Sequence, residues 1–321
     1  MNFNKKIFIF AVFVLDLNLL FADKQIGLVP SSVKNERDIL QVRVLEGDIP
    51  VLVVKEEREG FVSTITEYFV IYGKERVGPF DDVGYIKFSS DGKTLMYKAT
   101  IDGKWYLFVG KEKLGNFDEV YYLNFSPDGK SLAYKAEIDG KWYIFVGKEK
   151  FGPFDDVSFP IFSPDGKSLA YKAEIDWKYY LFVGKEKVGP FDNVVYPRFS
   201  PDSKSLAYGA KIDGKWYLFV AKEKFGTFDY VDCLNFSPDG KSLAYKAEID
   251  GKYYLFVDKK KFGPFDDVGY SYFSPDSKSL AYRAEIDGKW YLFVDKEKFG
   301  PFDYVNYSLF SPDSKNLVYK A

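Results

Sequence analysis

A ten-residue segment, Phe125-Ser126-Pro127-Asp128-Gly129-Lys130-Ser131-Leu132-Ala133-Tyr134, recurs seven times with small changes. Its leading phenylalanine falls at Phe88, Phe125, Phe162, Phe199, Phe236, Phe273 and Phe310, every interval being 37 residues with no insertion or deletion. A fixed period of that length belongs to solenoids, propellers and related arrays, in which each repeat is one supersecondary unit that buries its apolar surface against its neighbours.

One repeat, Val120 to Asp156, shows what the unit must be. Val120–Phe125 is a short run of β-formers. Ser126-Pro127-Asp128-Gly129 is a turn: proline presets φ at the second position and glycine accepts a positive φ. Leu132–Ala136 is a second strand, Asp139-Gly140 a two-residue hairpin, and Trp142–Val146 a third strand, aromatic enough to be expected buried on both faces. Phe151–Phe154 is a fourth, whose Pro153 fits only an outer edge, where no ladder hydrogen bond is required. No window carries a 3.6-residue apolar period, so a helical repeat is excluded. Tight Asp-Gly hairpins also argue against the parallel coils of a β-helix. Four short antiparallel strands per repeat predict a propeller blade.

The repeats indicate how such a propeller closes. The last copy ends after its second strand, while Thr66–Val83 matches Gly140–Val157 position for position. The expectation is an all-β, seven-bladed propeller over 66–321, closed by pairing of the N-terminal half-blade with the C-terminal one, which removes an open sheet edge. Residues 23–65 form an N-terminal extension with a β-hairpin, Ile39–Leu45 against Val51–Glu57. This hairpin is expected to pack on the ring or cover one mouth; the alternative is a worn strand pair of an imperfect eighth blade.

The Phe-Ser-Pro-Asp-Gly-Lys-Ser-Leu-Ala-Tyr segment at 125–134 resembles the repeat of TolB-type and WD40-like β-propellers, over about Thr66 to Ala321. The resemblance implies a rigid disc that binds a partner or ligand, often outside the cytoplasm; it does not imply one activity, since propellers host many. Ser203, Ser277 and Ser314 depart from the pattern by replacing the turn glycine, which should strain those turns.

Composition removes several function classes. The chain has no histidine and one cysteine, which excludes Ser-His-Asp and Cys-His machinery, an internal disulfide and the commonest metal ligand. No metal or other cofactor is expected. A net charge of -2 gives no electrostatic case for nucleic acid. Residues 1–22 read as a signal peptide: Lys5 and Lys6, then an apolar run from Ile7 to Phe21, then Ala22. Export to the periplasm or beyond is expected, with no stable membrane span after cleavage. Aspartates recurring at Asp81, Asp118, Asp155, Asp192, Asp229, Asp266 and Asp303 read as strand-end caps, because a reaction centre needs unlike groups in unlike environments.

Candidate binding residues come from comparing the copies. The first strand is the variable one, and it should line the central channel or its mouth. Tyr85, Tyr122, Tyr196, Tyr270 and Tyr307 share one position there, with Cys233 in their place in one copy; Lys87, Arg198 and Tyr272 share another. Trp177 replaces the glycine of an Asp-Gly hairpin and should be exposed. Turns carrying Glu137, Asp139, Asp155 and Asp156 should make that face acidic, and Lys130, Lys148 and Lys150 the other mildly basic. The expected function is a non-catalytic scaffold for a protein or peptide partner. The alternative is a multivalent lectin using Trp105, Trp142, Trp216 and Trp290. A carboxylate-based glycosidase ranks below both, for want of an unlike pair of acids.

Overall fold

The computed structural model describes residues 39–44, 50–59, 64–195, 197–306 and 308–320. The expected signal peptide, Tyr196 and Tyr307 lie outside the described residues. Contacts divide the chain into two compact units, 1–120 and 121–321, each described by itself below. Among the described residues there is no helix.

Among the described residues the strands form five four-stranded antiparallel sheets and two more in which the first strand is broken into two short pieces, the blades of the expected β-propeller. In the blade built from Tyr230–Phe236, Leu243–Ile249, Lys252–Val257 and Lys260–Phe265, sequential strands are sheet neighbours. The fourth strand pairs only with the third, so it is the outer edge, as its Pro264 requires. The most buried strand is not the aromatic third but the second: Leu132–Ile138 is closed along its first five residues, Lys135 included, whereas Lys141–Val146 is fully buried only at Ile144. Lysine stems explain the difference. The Lys150 ammonium lies 3.7 Å from the Tyr143 ring centroid, and Lys187, Lys224, Lys261 and Lys298 cover the equivalent rings, so outer aromatic faces are covered by cations rather than by another sheet.

The core lies between blades. Ala133, Ile144 and Phe154 of one blade close on Val157, Leu169, Tyr171 and Ala173 of the next, and the same set recurs at the following interfaces. Within each of the six blades after the first a tyrosine stacks on the cross-strand phenylalanine, as in Tyr134–Phe145 at 4.8 Å and Tyr171–Phe182 at 4.9 Å. Phe154, at the end of the preceding blade, meets the second of these pairs at a tilt. These recurring three-ring clusters take up part of an aromatic content of 20%.

The first blade corrects one expectation. Thr64–Tyr72 has both edges occupied within its own sheet, by Glu75–Phe80 on one side and Pro50–Glu59 on the other. The latter pairing runs over nine residues, from Val51 opposite Tyr72 to Glu59 opposite Thr64. Ile39–Val44 completes the sheet. The hairpin of the extension is therefore the first and second strands of a complete blade, neither an addition packed on a ring nor a cover. Ser308–Phe310 and Leu317–Tyr319 form a two-stranded sheet of their own. Burial explains the N-terminal arrangement: Val51, Leu52, Val53 and Val54 are 0–3% exposed, a run with the apolar character of a central strand although it lacks the repeat motif.

Candidate functional site

Two repeating devices engage a recurring set of polar side chains in successive blades. The first is at the Ser-Pro-Asp turn. The Ser126 hydroxyl donates to Asp128 Oδ1 at 2.6 Å and accepts from the Ser131 N–H at 2.9 Å, a closed local network. That donated bond holds the Asp128 carboxyl below the usual carboxylate range, helped by the Lys130 N–H. The three serines in place of glycine do adopt left-handed φ, 62–64°. Each also gives something back: Ser203, Ser277 and Ser314 accept a hydrogen bond from the N–H of Asp165, Asp239 and Asp276 in the preceding blade, at 2.9–3.0 Å. A glycine could not make this cross-blade link.

The second device is the recurring aspartate after the fourth strand. Asp155 Oδ1 accepts from the Lys141 ammonium at 2.6 Å, and Oδ2 accepts from the Asp176 N–H of the next hairpin at 2.8 Å. Asp192, Asp229 and Asp266 repeat both contacts. The lysine bond holds each of these carboxyls low. They cap turns and staple blades. The face expected to be acidic is correspondingly weaker: Lys141 neutralises Asp155, and Lys135 meets Asp156 at 2.8 Å.

Lys135 belongs to a third recurring arrangement. Its ammonium lies 3.9 Å from the Trp142 centroid, and Lys98, Lys172, Lys246 and Arg283 repeat the stack on Trp105, Tyr179, Tyr253 and Trp290. The tryptophans of the lectin alternative thus have cations on their rings, except Trp216, which is itself buried at 5% exposure. At Trp216 the cation is replaced by Gly209, where an added Cβ would lie 2.6 Å from Val195 and 2.7 Å from Val231.

The predicted site residues fall into two groups. Trp177 stands at the tip of the hairpin between Leu169–Ile175 and Lys178–Val183 and is 87% exposed. Asp176 and Trp177 have φ of 51° and 63°, the positive pair of a type I′ turn, a conformation glycine would adopt without strain. The first-strand residues sit on a bulge that the sequence did not disclose. Pairing skips between Gly84 and Lys87, Asp232 and Asn235, and Val268 and Ser271. Tyr85, Tyr122 and Cys233 take φ of 51–56° there. Such bulges re-aim side chains, and Tyr85, Tyr122 and Tyr270 are 46%, 51% and 62% exposed.

Within unit 121–321 the structure brings some of these residues together. The Tyr122 ring lies 5.1 Å from Phe159. Arg198, exposed, acts on Cys233, whose thiol burial nevertheless pushes up to about 11. Tyr270 and Tyr272 line a small cavity with Arg283, Val305 and Asn306, the last three unsuspected from sequence. Arg283 Nη1 donates to the carbonyls of Val305 and Asn306. Trp177 occupies a hairpin tip, apart in sequence and in strand from that group. Tyr85 and Lys87 lie in unit 1–120, both exposed.

No family model matches the chain, and no curated protein does. Solved structures do. A eukaryotic initiation factor is similar over 88% of this chain and 81% of its own, at 12% identity and a TM-score of 0.50. TolB from Acinetobacter baumannii is similar over 77% of each chain, at 16% identity and a TM-score of 0.34, and the Dos1 propeller over 82% and 80%, at 11% and 0.42. At these identities the likeness concerns the fold, and the fold it concerns is the one the sheets display: this chain is a β-propeller with TolB among its structural neighbours.

Proposed function

We propose that the chain is an exported, non-catalytic β-propeller that binds a protein or peptide partner, with Trp177 at its hairpin tip as the anchor and the exposed first-strand residues Tyr122, Arg198 and Tyr270 of unit 121–321 as further contacts. The observation that carries this reading is Trp177 itself. A large ring is 87% exposed on a backbone that disfavours any side chain, so it stabilises nothing in the free protein and is suited to an interface anchor. Exposed Tyr122, Tyr270 and Arg198 supply residue types enriched at such interfaces. Export rests on the residue 1–22 pattern. Among the described residues no helix is long and apolar enough to cross a membrane. The non-catalytic reading rests on the recurring carboxylates, of which Asp155, Asp192, Asp229 and Asp266 are each engaged with a lysine and a backbone N–H of the next hairpin.

The test is a pull-down from cell-envelope extract with the intact chain and with a Trp177→Ala, Arg198→Ala double variant. Loss of one or more partners, with circular dichroism unchanged, is expected. Equal recovery of every partner by both proteins refutes the assignment.

A further inference from the structure

Trp177 is set apart from the other tryptophans by what its ring lacks. Lys98, Lys135 and Arg283 lie 4.1, 3.9 and 5.1 Å from the ring centroids of Trp105, Trp142 and Trp290, and Trp216 is buried. At Trp142 a carboxylate completes the arrangement, since the same Lys135 ammonium meets Asp156 at 2.8 Å. Trp177, 87% exposed, carries no cation on its ring among the described residues.

Carboxylates are nevertheless in place beside it. Asp176 precedes it in the turn. Lys141 of the preceding hairpin feels Asp176, and Lys178 feels Asp213 of the following one, so the three tips are neighbours. The cations near these tips are already balanced. Lys141 pairs with Asp155 at 2.6 Å and Lys178 with Asp192 at 2.8 Å. Lys172, further down the sheet, is set against Glu174 and Asp156. Lys211, in the place of a sister glutamate, is set against Asp213. Asp139 and Asp176 remain, both exposed, and leave the tips beside Trp177 net negative.

From this we infer that Trp177 receives a cationic side chain, an arginine in a basic segment of the partner. The inference rests on the reading of Trp177 as the anchor and adds the chemistry of its occupant. A guanidinium stacks on an indole face and keeps N–H groups for a carboxylate, here Asp176. The hairpin thus offers a partner's arginine the two kinds of contact that Lys135 has inside the fold. An apolar side chain covering the ring would desolvate Asp176 without a counter-charge, and an acidic segment would meet like charge.

The peptide acetyl-Gly-Arg-Arg-Gly-amide, titrated against the full chain and followed by the indole N–H resonances, tests this. Trp177→Gly assigns the Trp177 signal and keeps its hairpin, because the sister tips are Asp-Gly. A saturable shift of that signal is expected, weakening at high ionic strength. Asp176→Asn, whose side chain tolerates the left-handed turn, should weaken binding about threefold, the size of an exposed ion pair. An unmoved Trp177 signal overturns the inference, as does equal affinity for acetyl-Gly-Leu-Leu-Gly-amide or acetyl-Gly-Glu-Glu-Gly-amide. The envelope pull-down separates the occupant from the anchor. Partners lost with Trp177→Gly but recovered undiminished by Asp176→Asn and at high salt overturn the cationic occupant and keep the anchor; recovery of every partner by Trp177→Gly overturns both.

Discussion

The stacked tyrosines predict how this fold responds to alkali. Tyr97, Tyr134, Tyr171, Tyr208, Tyr245 and Tyr282 occupy the same position in successive blades, each 1–6% exposed. Burial raises every one of these phenols above the ordinary value, Tyr208, Tyr245 and Tyr282 to about 12 and the others further. A phenol kept protonated in the folded chain still has its proton when the unfolded chain is losing its own near pH 10. Stability is therefore complete below pH 10 and falls as pH rises toward the folded value. Each group removes about 1.4 kcal/mol per pH unit in that window, so six acting together set a ceiling of roughly 8 kcal/mol per unit. Against a typical total of about 5–15 kcal/mol, that slope unfolds the protein within one to two pH units above 10. The assay is urea unfolding by circular dichroism at a series of pH values, with phenolate absorbance followed in parallel. Most of the phenolate signal from this set should appear together with the loss of structure. Tyr171→Phe is the informative variant. Its hydroxyl is buried with no hydrogen-bond partner, so the change should be neutral or stabilising by about 1 kcal/mol at neutral pH and should make the alkaline slope shallower. Phenols that titrate near pH 10 in a chain that stays folded, or a Tyr171→Phe protein with an unchanged alkaline slope, would refute the reasoning.

Two further outcomes follow from the departures between copies. Gly209→Lys restores the residue type of most sister blades but meets Val195 and Val231 at less than contact distance, and the neighbouring blade offers Tyr230 where others offer Asp156 or Asp267; a loss of about 2–3 kcal/mol is expected in urea unfolding, and a neutral effect would show that the valines do not fill the site. Cys233, its thiol pushed up to about 11 by burial, should resist iodoacetamide near neutral pH and react at the ordinary rate once the chain is unfolded in urea; rapid alkylation of the folded protein would contradict that placement.

The repeat made most of this architecture legible. Turn chemistry at Ser126–Gly129 and Asp139-Gly140, with a period that never slips, is local information and needs no knowledge of neighbours. What escaped the sequence is what neighbours decide. Val51–Val54 has no motif, and only a partner strand such as Thr64–Tyr72 turns it into part of a blade. The aromatic third strand looked like the buried one because hydrophobicity alone does not show that Lys150 or Lys187 will lie across its rings. The bulge at Tyr85, Tyr122 and Cys233 had no turn residue to announce it, since none of the three favours a positive φ. The cost assigned to Ser203, Ser277 and Ser314 was seen without its return, because the accepting geometry belongs to the preceding blade. Trp177 was legible for the opposite reason: a side chain at a hairpin tip has few neighbours to alter its fate.

Coupled exceptions show how selection on such an array differs from selection on a single core. The blade-to-blade cation of the second strand meets a carboxylate of the next blade at Lys135–Asp156 and Lys246–Asp267. Where the cation is absent, at Gly209, the carboxylate is absent too, and Tyr230 stands in its place, packed edge-on against Trp216 at 5.6 Å. Where the cation is arginine, at Arg283, the matching residue is Tyr304, and the guanidinium lies 5.4 Å from its ring. At these joints the two sides change together, because an unpaired half-buried lysine or carboxylate would carry its desolvation uncompensated; Lys172 is the exception, keeping its stack on Tyr179 with Asn193 at the matching position. The departures at Gly209–Tyr230 and Arg283–Tyr304 are therefore complementary pairs. Trp177 is not part of one: it departs alone, at an exposed hairpin tip. An uncompensated departure in an otherwise self-consistent array has no stabilising role inside the chain to explain it, and the proposed partner-binding role of Trp177 rests on that contrast.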